Sequence, residues 1–292
     1  MNEKPKTGIY EDIDFAEYLN WDATNNSSLG SLLRSPAHYK CRKESDNHTS
    51  SEALGFGSWC HTGKLEPIRI AERYVVMPAF EDELRDEFKN PKASNKYKEK
   101  VQQFAEVNAG KEIVSQEWFD KLLGITKSLA NNERAVEYFS GTGPVEVSIV
   151  WDDPTTGIRC KGRIDKINDE NPKIVDLKTT EDASDFSKSI ARWHYDRQAA
   201  FYIDGLSILT GKSYKFCIVA VEKEPPFAVR SAPLSEACVA NGRRQYRRCL
   251  DLLAECRTTE SWPSYDDPDE WDLPAWAMDS INLNVHGTLI NY

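Results

Sequence analysis

Gly162-Arg163-Ile164-Asp165, a short polar loop, and Ile174-Val175-Asp176-Leu177-Lys178 make up the stretch whose reading decides the fold. Side chains alternate faces along a strand. Asp176 and Lys178 therefore share one side while Val175 and Leu177 share the other, and Arg163 and Asp165 share a face of the preceding strand. Pairing of the two strands through the Asn168–Pro172 turn brings the two acids together. Mg2+ takes oxygen ligands, keeps several waters and typically uses one or two carboxylates plus phosphate oxygens. The acid pair meets that demand, and the Leu177 carbonyl adds a further ligand. Lys178 stands where it orients or deprotonates an attacking water, or offsets charge on a phosphorane. On spacing alone, a solvated acidic hairpin with a salt-bridging lysine fits the same residues equally well.

Outward from this hairpin, strand signals cover Val145–Trp151, Ile158–Ile167, Lys173–Lys178 and Lys215–Val221, with Asp152–Gly157 as a turn. Helical patterns cover Ser27–Lys40, capped by Asn26 or Ser27 with Pro36 starting a turn or a new helix, then Leu54–Leu65, Ile190–Leu209 and Leu234–Cys256. Glu66-Pro67 ends the second of these. Residues 81–138 are charged and helix-periodic, broken near Asn90-Pro91 and Asn108-Ala109-Gly110. Cys41–Ser51 reads as a loop, the first seven residues as a loose tail, and Trp262–Tyr292 as a loop-like tail that Trp262, Trp271 and Trp276 are available to dock. The order of elements suits an α/β (α+β) domain with a mixed sheet flanked by helices. It is read as a single domain over 1–292, with a helical subregion at 81–138, a core at 145–256 and a docked tail at 257–292.

Composition narrows the function classes. The chain has 292 residues, 40% hydrophobic and 11% aromatic with eight tryptophans, enough for a real core and far from disorder. No apolar run reaches a membrane span and the first residues lack an apolar signal segment, so a cytoplasmic location is expected. The seven cysteines are odd in number and include no C-x-x-C pair, which disfavours a disulfide framework and a zinc or iron–sulfur site. A formal net charge of −10 means that any DNA substrate must be held in a local basic channel rather than on the whole surface.

The motifs resemble the PD-(D/E)XK nuclease signature: Asp165, then Asp176-x-Lys178. Gln198-Ala-Ala-Phe-Tyr202 is similar to the Q-x-x-x-Y motif of the RecB-type branch, and Gly55-Phe-Gly-Ser-Trp-Cys-His61 with Leu65-Glu66-Pro67 is similar to its histidine motif. More narrowly, the chain resembles the RecE-type (exonuclease VIII) phage recombination exonucleases. That likeness adds Gly8-Ile9-Tyr10, Ser35-Pro36-Ala37, Trp151-Asp-Asp-Pro-Thr-Thr-Gly157, Asp176-Leu-Lys-Thr-Thr180, Trp262-Pro263 and Leu273-Pro-Ala-Trp276, in order along nearly the whole chain. Two departures stand out. Ile164 precedes Asp165 where the family name has proline, and the four-cysteine cluster staple of some RecB-type relatives is missing.

The resemblance implies a restriction-endonuclease-like core and a Mg2+-dependent 5′→3′ exodeoxyribonuclease, with Mn2+ as a substitute and no iron–sulfur cluster. It would act on linear double-stranded DNA and leave 3′ single strands for recombination by annealing. His61, Asp165, Asp176 and the Leu177 carbonyl are the expected metal ligands, and Glu146 touches the metal or its water or is a surface carboxylate. Lys178 assists the water, and Gln198 and Tyr202, four apart on one helix face, support the lysine or the substrate. Glu66 either belongs to the motif's chemistry or only ends its helix. Arg34, Arg163, His194, Arg243 and Arg247 are candidate DNA contacts, although Arg243-Arg244 and Arg247-Arg248 also read as a solvated helix face. By family analogy the partners are a single-strand annealing protein and further copies of the chain in a ring, tetrameric or else trimeric. A flap endonuclease and a non-catalytic DNA-binding module are the competing readings.

Overall fold

The computed structural model describes residues 4–45, 52–274, 282–285 and 288–291. The elements run β1 (Gly8–Tyr10), α1 (Phe15–Asn20), α2 (Asn26–Arg34), α3 (Pro36–Glu44), α4 (Glu52–Leu65), α5 (Ile70–Arg73), β2 (Tyr74–Val76), α6 (Phe80–Leu84), α7 (Asn95–Val107), β3 (Glu112–Val114), α8 (Gln116–Asn131) and α9 (Glu133–Phe139). They continue with β4 (Val145–Asp152), β5 (Arg159–Asn168), β6 (Lys173–Thr180), α10 (Phe186–Trp193), α11 (Tyr195–Thr210), β7 (Lys215–Glu222), β8 (Val229–Pro233), α12 (Glu236–Thr259), β9 (Asn282–Val285) and β10 (Thr288–Asn291).

Six strands form one mixed sheet in the order β1-β4-β5-β6-β7-β8. All neighbours are antiparallel except β6 and β7, which are parallel and joined by the α10–α11 crossover. Leu29 of α2, Phe201 and Leu206 of α11, and Leu250 and Leu253 of α12 pack on one face, against Ile149, Ile164, Ile174 and Phe216. Trp59 of α4 and Leu122, Ile125 and Leu129 of α8 cover the other face, against Val175, Leu177 and Val219. Helices on both faces explain why Phe216–Val221 is an unbroken apolar run: a central strand covered twice has no polar side. The mixed sheet flanked by helices is the architecture expected from the order of elements.

Two basic residues of β5 clamp α1 onto the sheet. Lys161 Nζ donates to the carbonyls of Tyr18, Leu19 and Trp21 at 2.7, 3.0 and 2.9 Å, satisfying the free end of that helix. Arg163 Nη1 donates to the Ile13 carbonyl at 2.9 Å, just before the helix begins.

Several local expectations need correction. Within Ser27–Lys40 the new helix offered at Pro36 does form, because Ser35 ends α2 and caps α3, while the cap of α2 is Asn25 rather than Asn26 or Ser27. The loop read from Cys41 starts later, since α3 runs through Glu44, and its residues 46–51 lie outside the described residues. The helix read over Ile190–Leu209 is likewise split, by His194 in the left-handed region at φ 54°. Inside the helical subregion, β3 pairs in parallel with β2, three residues each. The edge strand β8 was not read at all: Val229-Arg230-Ser231-Ala232-Pro233 has little β-branched character and carries the proline that only an edge tolerates. Of the expected loose tail, residues 4–7 are docked in part, since Pro5 is buried and its carbonyl accepts from Arg159 Nη1 at 2.7 Å. At the other end, Trp262 stacks on Tyr39, but Trp271 is 91% exposed and docks nothing, and β9 pairs with β10 where a loop was read. Trp276 lies outside the described residues.

Candidate active site

The site forms where β5 and β6 separate. Their ladder holds only at Asn168–Lys173, Ile167–Ile174 and Lys166–Val175. At the next position the backbone acceptor of β5 is replaced by a side chain: Asp165 Oδ2 accepts from the Leu177 N–H at 2.7 Å. Face alternation also breaks there, because Ile164 and Ile167, three residues apart, both enter the core beside α11. Across the β4–β5 pair, Glu146 sits directly opposite Asp165 by register and has φ 51°. A non-glycine residue in the left-handed region inside a strand is strained, and such strain gathers at functional positions.

His61 reaches this cleft from α4, whose Trp59 and Cys60 are fixed in the core. Its Nδ1 lies 3.4 Å from Asp165 Oδ2 and 3.8 Å from Glu146 Oε1. One ligand atom from each of His61, Glu146 and Asp165 falls within 4.8 Å of the others. Glu146 is braced from behind by Arg163, whose Nε lies 2.8 Å from its Oε2. Burial alone would lower the pKa of His61, yet the Asp165 and Glu146 carboxylates outweigh it and raise the imidazole to about 9. Asp165 is pushed far above the ordinary carboxylate range, chiefly by burial and further by Asp176, against the opposing pull of His61.

Asp176 and Lys178 complete the cleft from β6. Asp176 Oδ1 accepts from Gln198 Nε2 at 3.0 Å. Its Oδ2 makes an ion pair with Lys178 Nζ at 2.6 Å. Lys178 Nζ also lies 4.8 Å from the centre of the Tyr195 ring. Burial works against the Lys178 ammonium, but Asp176 and Asp165 overcome it and hold the pKa above the ordinary lysine value, so the group stays charged.

Six expected residues thus meet in one cleft: His61, Glu146, Asp165, Asp176, Lys178 and Gln198. Gln198 holds Asp176, and the Leu177 N–H is bound by Asp165. Tyr202, one turn on, packs against the strand at Gly162, where a Cβ would stand 2.8 Å from its ring. Tyr195 was not expected, although it lies three residues before Gln198 on the same helix face, a signal that the sequence does carry.

The candidate DNA contacts are mostly committed elsewhere. Arg163 is taken by Glu146 and the Ile13 carbonyl. Arg243 makes a two-pronged pair with Asp204, both contacts at 2.7 Å, and Arg247 pairs with Asp153. Arg34 Nε donates to the Tyr265 hydroxyl at 2.8 Å and so ties down the C-terminal segment. His194 serves as the left-handed joint between α10 and α11, and its side chain caps neither. Glu66 ends α4 and holds Arg69 and Arg73 at 2.9 and 2.8 Å.

A divalent cation fits these residues. The donors are carboxylate oxygens with one imidazole, a set that can hold a divalent metal ion. The cluster of His61, Glu146 and Asp165, whose carboxylates raise the imidazole, marks a place for positive charge. Among the described residues, no helix is long and apolar enough to cross a membrane.

Comparison with known proteins agrees with this architecture. The family described as "PDDEXK-like domain of unknown function (DUF3799)" matches residues 25–269. A crystal structure of a "Putative exonuclease" from Eubacterium rectale is similar at a TM-score of 0.58 and 17% identity, covering 86% of each chain. The crystal structure of SSO0001 is 18% identical over 67% of this chain and 85% of its own, at a TM-score of 0.27 that carries no argument. No curated protein matches the chain.

Proposed function

This chain belongs to the PDDEXK-like domain family, and on that premise we propose that it is a Mg2+-dependent exodeoxyribonuclease that degrades linear duplex DNA in the 5′→3′ direction. One observation carries the reading. One ligand atom from each of His61, Glu146 and Asp165 lies within 4.8 Å of the others, and the Asp176–Lys178 ion pair is tied to the same cleft through the Leu177 N–H that Asp165 accepts. Buried carboxylates gathered this way are costly unless a cation joins them.

His61, Asp165 and Asp176 would hold the metal, with Glu146 and the Leu177 carbonyl as further donors. Bound there, Mg2+ supplies an activated water at neutral pH and a screen for phosphate charge. Gln198 keeps Asp176 from rotating away, and Arg163 does the same for Glu146. The Lys178 ammonium, backed by the Tyr195 ring, sits where it can donate to the attacking water or to a non-bridging phosphate oxygen as negative charge builds. The 5′→3′ polarity and the production of 3′ single strands for annealing rest on the likeness to RecE-type exonucleases. A homo-oligomeric ring, tetrameric by that likeness, would let a chain of net charge −10 retain DNA on a few inward basic residues.

The test is a digest of linear and covalently closed circular duplex, with 5′ or 3′ label, in Mg2+ and in EDTA. Expected are release of 5′ label from linear DNA, intact circles, and no reaction in EDTA. Cutting of closed circles would overturn the exonuclease reading, and release of 3′ label first would overturn the polarity.

A further inference from the structure

A lysine ammonium on its flexible four-carbon stem has three protons and no fixed direction. At Lys178 two contacts supply one. Asp176 Oδ2 lies 2.6 Å from Nζ, and the centre of the Tyr195 ring lies 4.8 Å from the same atom, a distance at which a π-face attracts a cation. That attraction is stronger where water is excluded, and the Lys178 side chain is only 17% exposed. A carboxylate fixes how far the ammonium reaches; the ring adds a second direction and leaves one N–H for a ligand.

Tyr195 is held in turn by a frame outside the cleft. It is the first residue of α11, and its ring stacks on that of Phe186, the first residue of α10, with centroids 5.9 Å and planes 14° apart. Both rings pack, half-buried, against the core cluster that contains Phe201 and Leu206. His194 alone joins the two helices, at φ 54° and ψ 44°, and its N–H caps α10 on the Ile190 carbonyl. A non-glycine residue in that region is uncommon, and such strain gathers at functional positions.

We propose that Tyr195 is a positioning residue that fixes the direction of the Lys178 ammonium, with Phe186 as the second ring that holds it. The inference rests on the nuclease reading above and deepens it: the remaining N–H of Lys178 is aimed at a single oxygen, of the attacking water or of the phosphate. A constraint of this kind acts on the reacting arrangement rather than on capture of a long duplex, so it belongs to kcat more than to KM. The cation meets the ring face and not the hydroxyl, so phenylalanine can stand in for tyrosine.

The first measurement is nuclear magnetic resonance of the full chain labelled with 13C-lysine, without DNA. The Lys178 Cε–Hε resonance is identified by its absence from Lys178→Ala. Protons held over an aromatic face are shifted upfield, so Tyr195→Leu should move this resonance downfield and Tyr195→Phe should return it. Phe186→Leu, which unstacks the ring without removing it, should move it the same way by less, and carries the test alone should Tyr195→Leu not fold. On linear duplex DNA in Mg2+, kcat of Tyr195→Leu should fall about tenfold with KM within about twofold, and Tyr195→Phe should recover most of the rate. An unmoved resonance, a native kcat in Tyr195→Leu, or a loss that Tyr195→Phe does not recover overturns the inference, while digestion by the native chain would still uphold the nuclease reading. A resonance that moves as stated in a chain that digests no DNA removes that reading and retains the placement of Lys178.

Discussion

Lys161 and Asp176 lie on neighbouring strands of one sheet, and each buries a charge, at 3% and 2% exposure. Lys161 meets three carbonyls, and every proton of its ammonium has an acceptor. Asp176 has Gln198 on one oxygen and the Lys178 ammonium on the other at 2.6 Å, beside the His61–Glu146–Asp165 cluster. The first charge is finished by backbone acceptors; the second adjoins a donor cluster that a cation would finish. A charged residue in an apolar strand therefore has two meanings, and what separates them is whether the groups around it form a closed set of bonds or an open set of donors.

The largest effects should come from the unfinished side. Asp176→Ala and Lys178→Ala should each reduce hydrolysis of linear duplex by about a thousandfold or more, with the circular dichroism spectrum unchanged. Activity surviving in both would dissolve the distinction between the two charges. On the finished side, Lys161→Met strands three carbonyls at the end of α1 and should cost about 3 kcal/mol of stability, read as a lower urea midpoint. A loss well under 1 kcal/mol would mean that water replaces the ammonium there.

A third prediction sharpens the comparison through pH. His61 is raised from 6.5 to about 9 in the folded chain, and Asp165 is raised as well. Both bind a proton more tightly when folded, so the stability they contribute is present below the unfolded pKa and lost as pH rises through the folded one. For His61 that window runs from about 6.5 to about 9. The thermal midpoint in EDTA should fall across it, while the rise produced by Mg2+ should grow, because the metal displaces the imidazole proton. At a hundredfold excess over its dissociation constant Mg2+ should add about 2.7 kcal/mol, and a Mg2+ effect that does not change with pH would exclude His61 as a ligand. The smallest effect belongs to Trp271→Ser: at 91% exposure it should alter stability by less than about 0.5 kcal/mol, measured by the same urea midpoint.

Much of this was legible in the chain. The alternation in Ile174-Val175-Asp176-Leu177-Lys178 put the acid and the lysine on one side of a strand covered on both faces, and the structure has them so. Gln198 was readable as a partner from its motif, though not the atom it binds. Other features were hidden for a common reason. Arg243 and Arg247 looked free because their partners, Asp204 and Asp153, lie 39 and 94 residues away. No local pattern announces that a guanidinium is already taken. The joint at His194 was equally silent, since a single left-handed residue leaves the apolar periodicity on both sides intact.

By itself the sequence determined the central strands β4 to β7, most of the helical segments that cover them and the identity of the acids and the lysine, because periodicity and residue chemistry are local properties. Only the tertiary structure decided that β5 and β6 part at Asp165, that Glu146 turns in opposite it through a strained backbone, and that His61 arrives from α4. It also decided which buried charges are complete and which are not. Those outcomes depend on where distant segments meet, and the free energy of a buried charge is set by the partners it finds there rather than by its neighbours in the chain.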